Sequence, residues 1–161
     1  MEMIKETNNI SDIQYILGNL RKEDEQELMA QLGQDWKEKI LVYFSGKLFK
    51  VLYGFNYVGD KVPIAMGGFA ELSTEDPTIA CVWLLSTNFV SRNKKLFFKE
   101  LKKQLLEAET KYTVLYNYIY KSNYTAKSWL INFGFKFDKP KPKCLPVKKD
   151  FEFFYKLVER E

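Results

Sequence analysis

The chain has 161 residues, 46% of them apolar, 29% charged and 16% aromatic, with a formal net charge of +4. That length and apolar fraction support a single domain, residues 1–161, with a sizeable core, and no apolar stretch approaches the roughly 20 residues of a membrane-spanning helix. Histidine is absent, which excludes Ser-His-Asp and Cys-His nucleophile systems, histidine metal sites and the usual general base near pH 7.

Taken in chain order, Met3 to Glu6 reads as a possible first strand. Ser11 and Gln14 have the spacing of a capping box, and Ile13, Leu17 and Leu20 then share a helical face, with Gly18 a weak point inside it. The acidic run Glu23 to Glu27 opens a second helix, where negative charge suits the N-terminal end of the dipole, and Gly33 closes it. Trp36, Ile40 and Phe44 predict a third helix that ends near Ser45-Gly46. Beyond Gly46 the period changes to that of strands: Leu48 to Tyr53, a turn over Asn56 to Asp60, then Val62 to Leu72. Gly67-Gly68 within the latter suggests a bulge or a close backbone approach.

The segment Ser73 to Pro77 turns the chain into Ile79 to Leu85, an apolar strand expected to be buried on both faces, with Trp83, Leu84 and Leu85 in the core. A helix from about Arg92 to Glu109, capped by Ser91, carries Phe97, Leu101, Leu105 and Ala108 on its inner stripe. Thr113 to Tyr120 is a strand, Asn123 to Asn132 a short helix ended by Gly134, and Phe135 to Phe137 a further strand. The chain closes on Phe151 to Val158, with Phe151, Phe153, Tyr155 and Leu157 on one face. Short turns predict antiparallel pairing among the three strands after the first helices. The helix between Ile79–Leu85 and Thr113–Tyr120 permits a right-handed parallel crossover. Lys136 to Lys149, with three prolines and six lysines, reads as a rigid basic loop. Cys81 and Cys144 match no zinc or redox spacing, and Cys81 reads as a small buried hydrophobe. Met1 is followed by the acid Glu2 and not by a secretory pattern, so a cytosolic location is expected.

This element order resembles the GNAT N-acyltransferase fold. Many of those enzymes carry Asn-x-x-Ala-x-x-Leu-Tyr-x-x-x-Gly-Phe after their fifth strand, and Asn123, Ala126, Trp129, Leu130, Gly134 and Phe135 stand here at those spacings. The resemblance implies an α+β, three-layer architecture: a central, mixed, twisted sheet of about six to seven strands flanked by helices. It also implies where acetyl-CoA would lie, with Leu85, Ser86, Thr87, Arg92, Lys94, Lys95 and Asn123 as candidate contacts. Two departures from the pattern stand out. The loop that cradles pyrophosphate in active members is rich in glycine, whereas Thr87 to Leu96 contains none. Leu130 occupies the place of a tyrosine that protonates the departing thiolate, and leucine has no proton to give.

A narrower resemblance rests on Leu20-Arg21-x-x-Asp24-x-x-Glu27-Leu28, Pro63 to Gly68, Val82 to Thr87, Leu115 to Ile119, the Asn123 to Phe135 pattern and Phe151 to Phe154. Together these resemble the internal virion protein A group of short-tailed phages and related prophages. That resemblance implies a GNAT scaffold with degenerate chemistry, acting in virion assembly or as an internal core or tail component. The implied partners are other virion proteins in an oligomeric assembly, located in the virion or in host cytoplasm during assembly. No cofactor, membrane, metal or sequence-specific nucleic acid is expected. The competing expectation is an acetyl-CoA-dependent N-acetyltransferase acting on a protein or small amine, with Glu71 or a bound water as base and Asn117 as a second candidate. A host-takeover binder without a virion role is a third. Arg21, Asp24 and Glu27 read as a solvated ion-pair set or as the flank of an acceptor groove. Lys94, Lys95, Lys99, Lys102 and Lys103 read as a solvated basic face.

Overall fold

The structure, a computed structural model, describes residues 3–71, 76–137 and 149–159. Its elements are β1 (Ile4–Thr7), α1 (Ile10–Gly18), α2 (Lys22–Leu32), α3 (Trp36–Phe44), β2 (Phe49–Phe55), β3 (Lys61–Glu71), β4 (Ile79–Ser86), a 3₁₀ turn (Asn88–Arg92), α4 (Lys94–Glu109), β5 (Val114–Tyr120), α5 (Tyr124–Asn132) and β6 (Phe151–Leu157). The six strands form one mixed sheet in sequential order, β1 to β6, flanked by the five α-helices. β1 with β2, β2 with β3 and β5 with β6 are antiparallel, while β4 and β5 are parallel, as a helical crossover requires. Phe135 to Phe137 is no seventh strand. It contributes a single bridge, Lys136 with Tyr155. The expected turn over Ser73 to Pro77 and most of the Lys136 to Lys149 loop fall outside the described residues.

Contacts divide the chain into two compact units, residues 1–68 with 84–104 and residues 69–83 with 105–161. In the first, Ile13, Ile16 and Leu17 of α1, Leu28 of α2, Trp36 and Phe44 of α3, and Phe97 of α4 are buried. So are Val51 and Leu52 of β2 and Ile64, Ala65 and Met66 of β3. The periodic apolar positions of the three early helices therefore face inward as their spacing predicts. The cap of α1 differs from expectation. Asn9, not Ser11, is the N-cap: its Oδ1 accepts from the Ser11 N–H at 3.0 Å and from the Ser11 hydroxyl at 2.7 Å. The serine hydroxyl is thus spent as a donor, and Gly18 is the last helical residue.

A close backbone approach occurs at Gly54. A Cβ there would stand 2.8 Å from both Asn93 Oδ1 and Ile64 Cδ1. The β2–β3 register shifts nearby, between Leu52 and Tyr53, opposite Ala65 and Pro63, whereas Gly67 pairs in register with Lys50. Asn93 explains the requirement, because its amide accepts from the Phe55 N–H at 3.0 Å and donates to the Phe55 carbonyl at 2.8 Å. A side chain capable of both bonds must lie against the strand, which leaves no room for a methyl group at position 54.

The second unit encloses an apolar cluster of Ala80, Leu105, Ala108, Tyr112, Leu115, Ile119, Phe135 and Phe154. Phe135 meets Phe154 edge-on at 5.3 Å between centroids. β6 alternates as its sequence predicts: Tyr116 and Tyr118 of β5 lie against Phe153, and Tyr120 lies against Phe151. Gly134 has φ +89°, a conformation that favours glycine, and the amide after it returns to the Leu130 carbonyl at 3.0 Å to close α5. β4 is less buried than its composition suggests. Ala80 and Ser86 are buried, but Cys81 to Leu85 are half-buried, so Trp83, Leu84 and Leu85 are not fully interior. Its parallel ladder with β5 holds only three pairs, Ile79–Cys81 with Val114–Tyr116, and an apolar run does not state how far its neighbours follow it. Cys81 is half-buried.

The substitution Gly54→Ala should lower the urea midpoint at unchanged m-value, by an amount equivalent to about 1–3 kcal/mol, because Asn93 is tied to backbone and Ile64 is fully buried. A second change, Asn93→Ala, should recover none of that loss, since it removes the bonds that fix Phe55.

Candidate functional site

The residues at the end of β4 are held by polar bonds to distant segments of the first unit. α2 begins at Lys22, as the acidic run predicts, but Arg21 and Asp24 are 8% and 5% exposed. They are therefore not a solvated pair. Asp24 Oδ2 accepts from the Ser86 N–H at 2.7 Å, and Oδ1 lies 3.5 Å from an Arg21 guanidinium nitrogen. Arg21 also donates its backbone N–H to the Ser86 carbonyl at 2.9 Å and faces Glu23 at 3.4 Å. Ser86 is thus clamped through both backbone groups, while its buried hydroxyl has no hydrogen-bond partner among the described residues.

Thr87 is fully buried, and both its N–H and its hydroxyl donate to the Ile64 carbonyl, at 2.9 and 2.8 Å. Its Oγ1 also accepts from the Phe89 N–H and so caps the 3₁₀ turn. The amides that follow are similarly engaged. Asn88 donates to the Asn19 carbonyl at 3.1 Å, Val90 to Thr87 at 3.3 Å, and Asn93 to Val90 at 3.0 Å. Ser91 is not the helix cap the sequence suggests. It lies inside the 3₁₀ turn and donates its hydroxyl to the Asn88 carbonyl at 2.9 Å, while α4 starts three residues later. Arg92, Lys94 and Lys95 are exposed at that start. Leu85 is half-buried.

The remaining candidates belong to the second unit. Glu71 ends β3, where its Oε1 lies 2.8 Å from Lys111 Nζ and accepts from the Tyr112 hydroxyl at 3.0 Å. Those two partners hold its carboxyl below the usual carboxylate range, the lysine contributing most. A carboxylate so stabilised in its charged form is a weakened proton acceptor. Asn117 stands where the β4–β5 ladder ends. Its Nδ2 donates to the Val82 carbonyl at 2.6 Å and its Oδ1 accepts from the Tyr118 N–H at 2.7 Å, so it replaces a backbone rung. Asn123 is 2% exposed and caps α5, accepting from the Ala126 N–H at 3.3 Å. Leu130 packs on the apolar cluster of this unit.

The structure therefore brings Ser86 and Thr87 together with Arg21 and Asp24, and it places Asn117 and Asn123 in the other unit, each bonded to backbone groups. The sequence pointed to Asp24 only as part of a solvated pair or a groove flank, not as a buried carboxyl. Its signal was the Leu-Arg-x-x-Asp spacing, which places the carboxyl one helical turn from Arg21 and beside the buried Leu28 face.

No protein-family model matches the chain, and no curated protein matches it. Solved structures do. A protein of Streptococcus mutans UA159 aligns at TM-score 0.66 and 16% identity, over 99% of this chain and all of that one. A GNAT-family acetyltransferase of Bacillus anthracis aligns at 0.62 and 13%, over 99% and 97%. The ribosomal-protein-S18-alanine N-acetyltransferase of Escherichia coli aligns at 0.63 and 12%, over 99% and 96%. The chain has the GNAT fold, along its whole length.

Burial pushes the Asp24 carboxyl up to about 7, outweighing Arg21 and the Ser86 N–H, which pull it down, with Glu27 and Glu23 pushing the same way as burial. In the unfolded chain it titrates near 3.8, so between those values the folded state holds a proton that the unfolded state has lost. The contribution of this group to stability is complete below pH 3.8 and is lost as pH rises through 7. Urea melts of wild type and Asp24→Asn from pH 4 to 8 should therefore show the wild-type advantage shrinking with pH, at up to about 1.4 kcal/mol per pH unit. An advantage that grows with pH would mean that the Arg21 ion pair governs the site.

Proposed function

We propose that this GNAT-fold chain has given up acetyl transfer and serves in virion assembly, as an internal core or tail component of a short-tailed phage or prophage particle. The observation that carries the loss of chemistry is the β4–α4 junction. A pyrophosphate held there needs backbone N–H groups free to point at it. The amides of Thr87, Asn88, Phe89, Val90 and Asn93 are each already given to an acceptor within the protein. The absence of glycine from Thr87 to Leu96 supports the same reading. So does Leu130, which stands where the resemblance puts an acid tyrosine and packs instead on an apolar cluster. Glu71, the candidate base, is committed to Lys111 and Tyr112.

The virion role rests on the sequence resemblance to the internal virion protein A group. Exposed aromatic side chains support an assembling protein: Tyr43, Tyr57 and Tyr124 are 56%, 60% and 73% exposed, and tyrosine is enriched where protein surfaces meet. The partners on this reading are other virion proteins, with no resident cofactor, in the particle or in host cytoplasm while it assembles.

Thermal unfolding with acetyl-CoA and with CoA tests the first half. A ligand at 100 times its dissociation constant adds about 2.7 kcal/mol, and no shift is expected at millimolar concentration. A saturable micromolar shift would overturn the degenerate reading in favour of an acetyl-CoA-dependent N-acetyltransferase of a protein or small amine, and would direct attention to Arg92, Lys94 and Lys95. Mass spectrometry of purified particles and assembly intermediates tests the second half. The chain is expected in one or both, and its absence from both would end the virion reading.

A further inference from the structure

The outer face of α4 carries charge that nothing in the fold uses. Lys95, Lys99, Lys102 and Lys103 follow one another at i, i+4, i+7 and i+8, on the side of the helix opposite the buried Phe97, Leu105 and Ala108. Arg92 in the preceding turn and Lys94, about 100° round the helix from Lys95, add charge at its start, and all six cations are exposed. At 1.5 Å of rise per residue the row runs about 12 Å from Lys95 to Lys103. None of the six forms an ion pair among the described residues, whereas Lys39, Lys111, Lys127 and Lys156 are each matched to an acid. Glu100, the acid within the row, is half-buried and unpaired with it. The chain therefore carries a linear positive stripe on a rigid element, with one exposed acid, Glu107, a turn beyond Lys103.

We propose that this stripe is a track for the phosphodiester backbone of a nucleic-acid duplex, bound without regard to sequence. The surroundings decide the kind of polyanion. A protein partner needs apolar or aromatic anchors at the centre of its contact, and lysine is depleted there. No apolar residue is exposed between Arg92 and Lys103; the exposed Leu106 and Tyr57 stand at the two ends of the row, not at its centre. An anionic membrane takes up a basic helix through the helix's apolar face, but here that face is spent on the protein core. A phosphate backbone asks only for spaced point charges, and lysines supply these without the paired geometry that reads a base. A small phosphorylated cofactor could engage only the first turn, so the inference rests on Lys99, Lys102 and Lys103, further along the helix.

The test is fluorescence anisotropy with two labelled 20-base-pair duplexes of unrelated sequence, between 50 and 200 mM KCl. Both should bind within about threefold of each other, and affinity should fall with salt at a log–log slope of roughly −4, as expected when four or five phosphates are neutralised. The triple substitution Lys99→Gln, Lys102→Gln, Lys103→Gln should bind at least about tenfold more weakly at 50 mM KCl, with the slope shallower by roughly 2.7. All three side chains are exposed, so its melting temperature should match wild type, and Lys50→Gln, which removes one charge off the stripe and breaks a bond to Gln104 of α4, serves as a control that keeps duplex affinity. The proposal fails if neither duplex binds at 50 mM KCl or if the triple variant keeps the wild-type affinity and slope. It fails equally if polyglutamate or phosphatidylserine vesicles bind more tightly than the duplexes, or if millimolar CoA displaces them.

Discussion

The first unit of this protein depends on buried polar side chains that complete the backbone of segments far from them in sequence. Asp24 holds Ser86, Thr87 holds Ile64, and Asn93 holds Phe55, each through bonds between 2.7 and 3.0 Å. A buried N–H or carbonyl without a partner costs about as much as a lost hydrogen bond, so these contacts fix the positions of their partners more firmly than apolar packing alone would. Together they set where β4 ends, how the 3₁₀ turn forms and at which residue α4 starts. Gly54 follows from the same constraint, because the asparagine that completes Phe55 occupies the space a side chain would need.

This arrangement has an electrostatic cost. Asp24 sits 5% exposed with one guanidinium at the limit of contact, and burial raises its carboxyl to about 7. The carboxyl keeps a proton well above the pH at which an exposed aspartate loses it, and the α2–β4 connection becomes sensitive to pH near neutrality. The chemistry of the junction is decided in the same place. The Thr87 hydroxyl takes the Phe89 amide, and main-chain carbonyls take those of Thr87, Asn88, Val90 and Asn93.

The second unit uses different means. Its apolar cluster and the aromatic pairs between β5 and β6 supply the packing, and Asn117 extends the reach of β5 beyond the last parallel rung by offering an amide in place of backbone. Leu130 contributes to that cluster as leucine would anywhere, by burying apolar surface. The same fold thus contains one unit organised by polar side chains and another organised by apolar contact, with β3, β4 and α4 contributing residues to each.

The sequence by itself determined the order of the main helices and strands and the parallel crossover between β4 and β5, and its resemblance to a known fold supplied the fold class. The order and the crossover follow from hydrophobic period, capping chemistry and loop length, which are local properties. Asn123 as a cap and Gly134 as a helix stop were legible for that reason. Tertiary structure decided where local signals tie or fall silent. Asn9 displaced Ser11 as a cap because either residue could serve and only one geometry could be built. The tight place at Gly54 gave no local signal, because the neighbour that crowds it lies 39 residues away along the chain. The half-burial of Trp83 to Leu85 and the deep burial of Arg21 and Asp24 were invisible for a common reason: how far a residue is covered depends on elements from elsewhere in the chain, which no window of neighbouring residues contains.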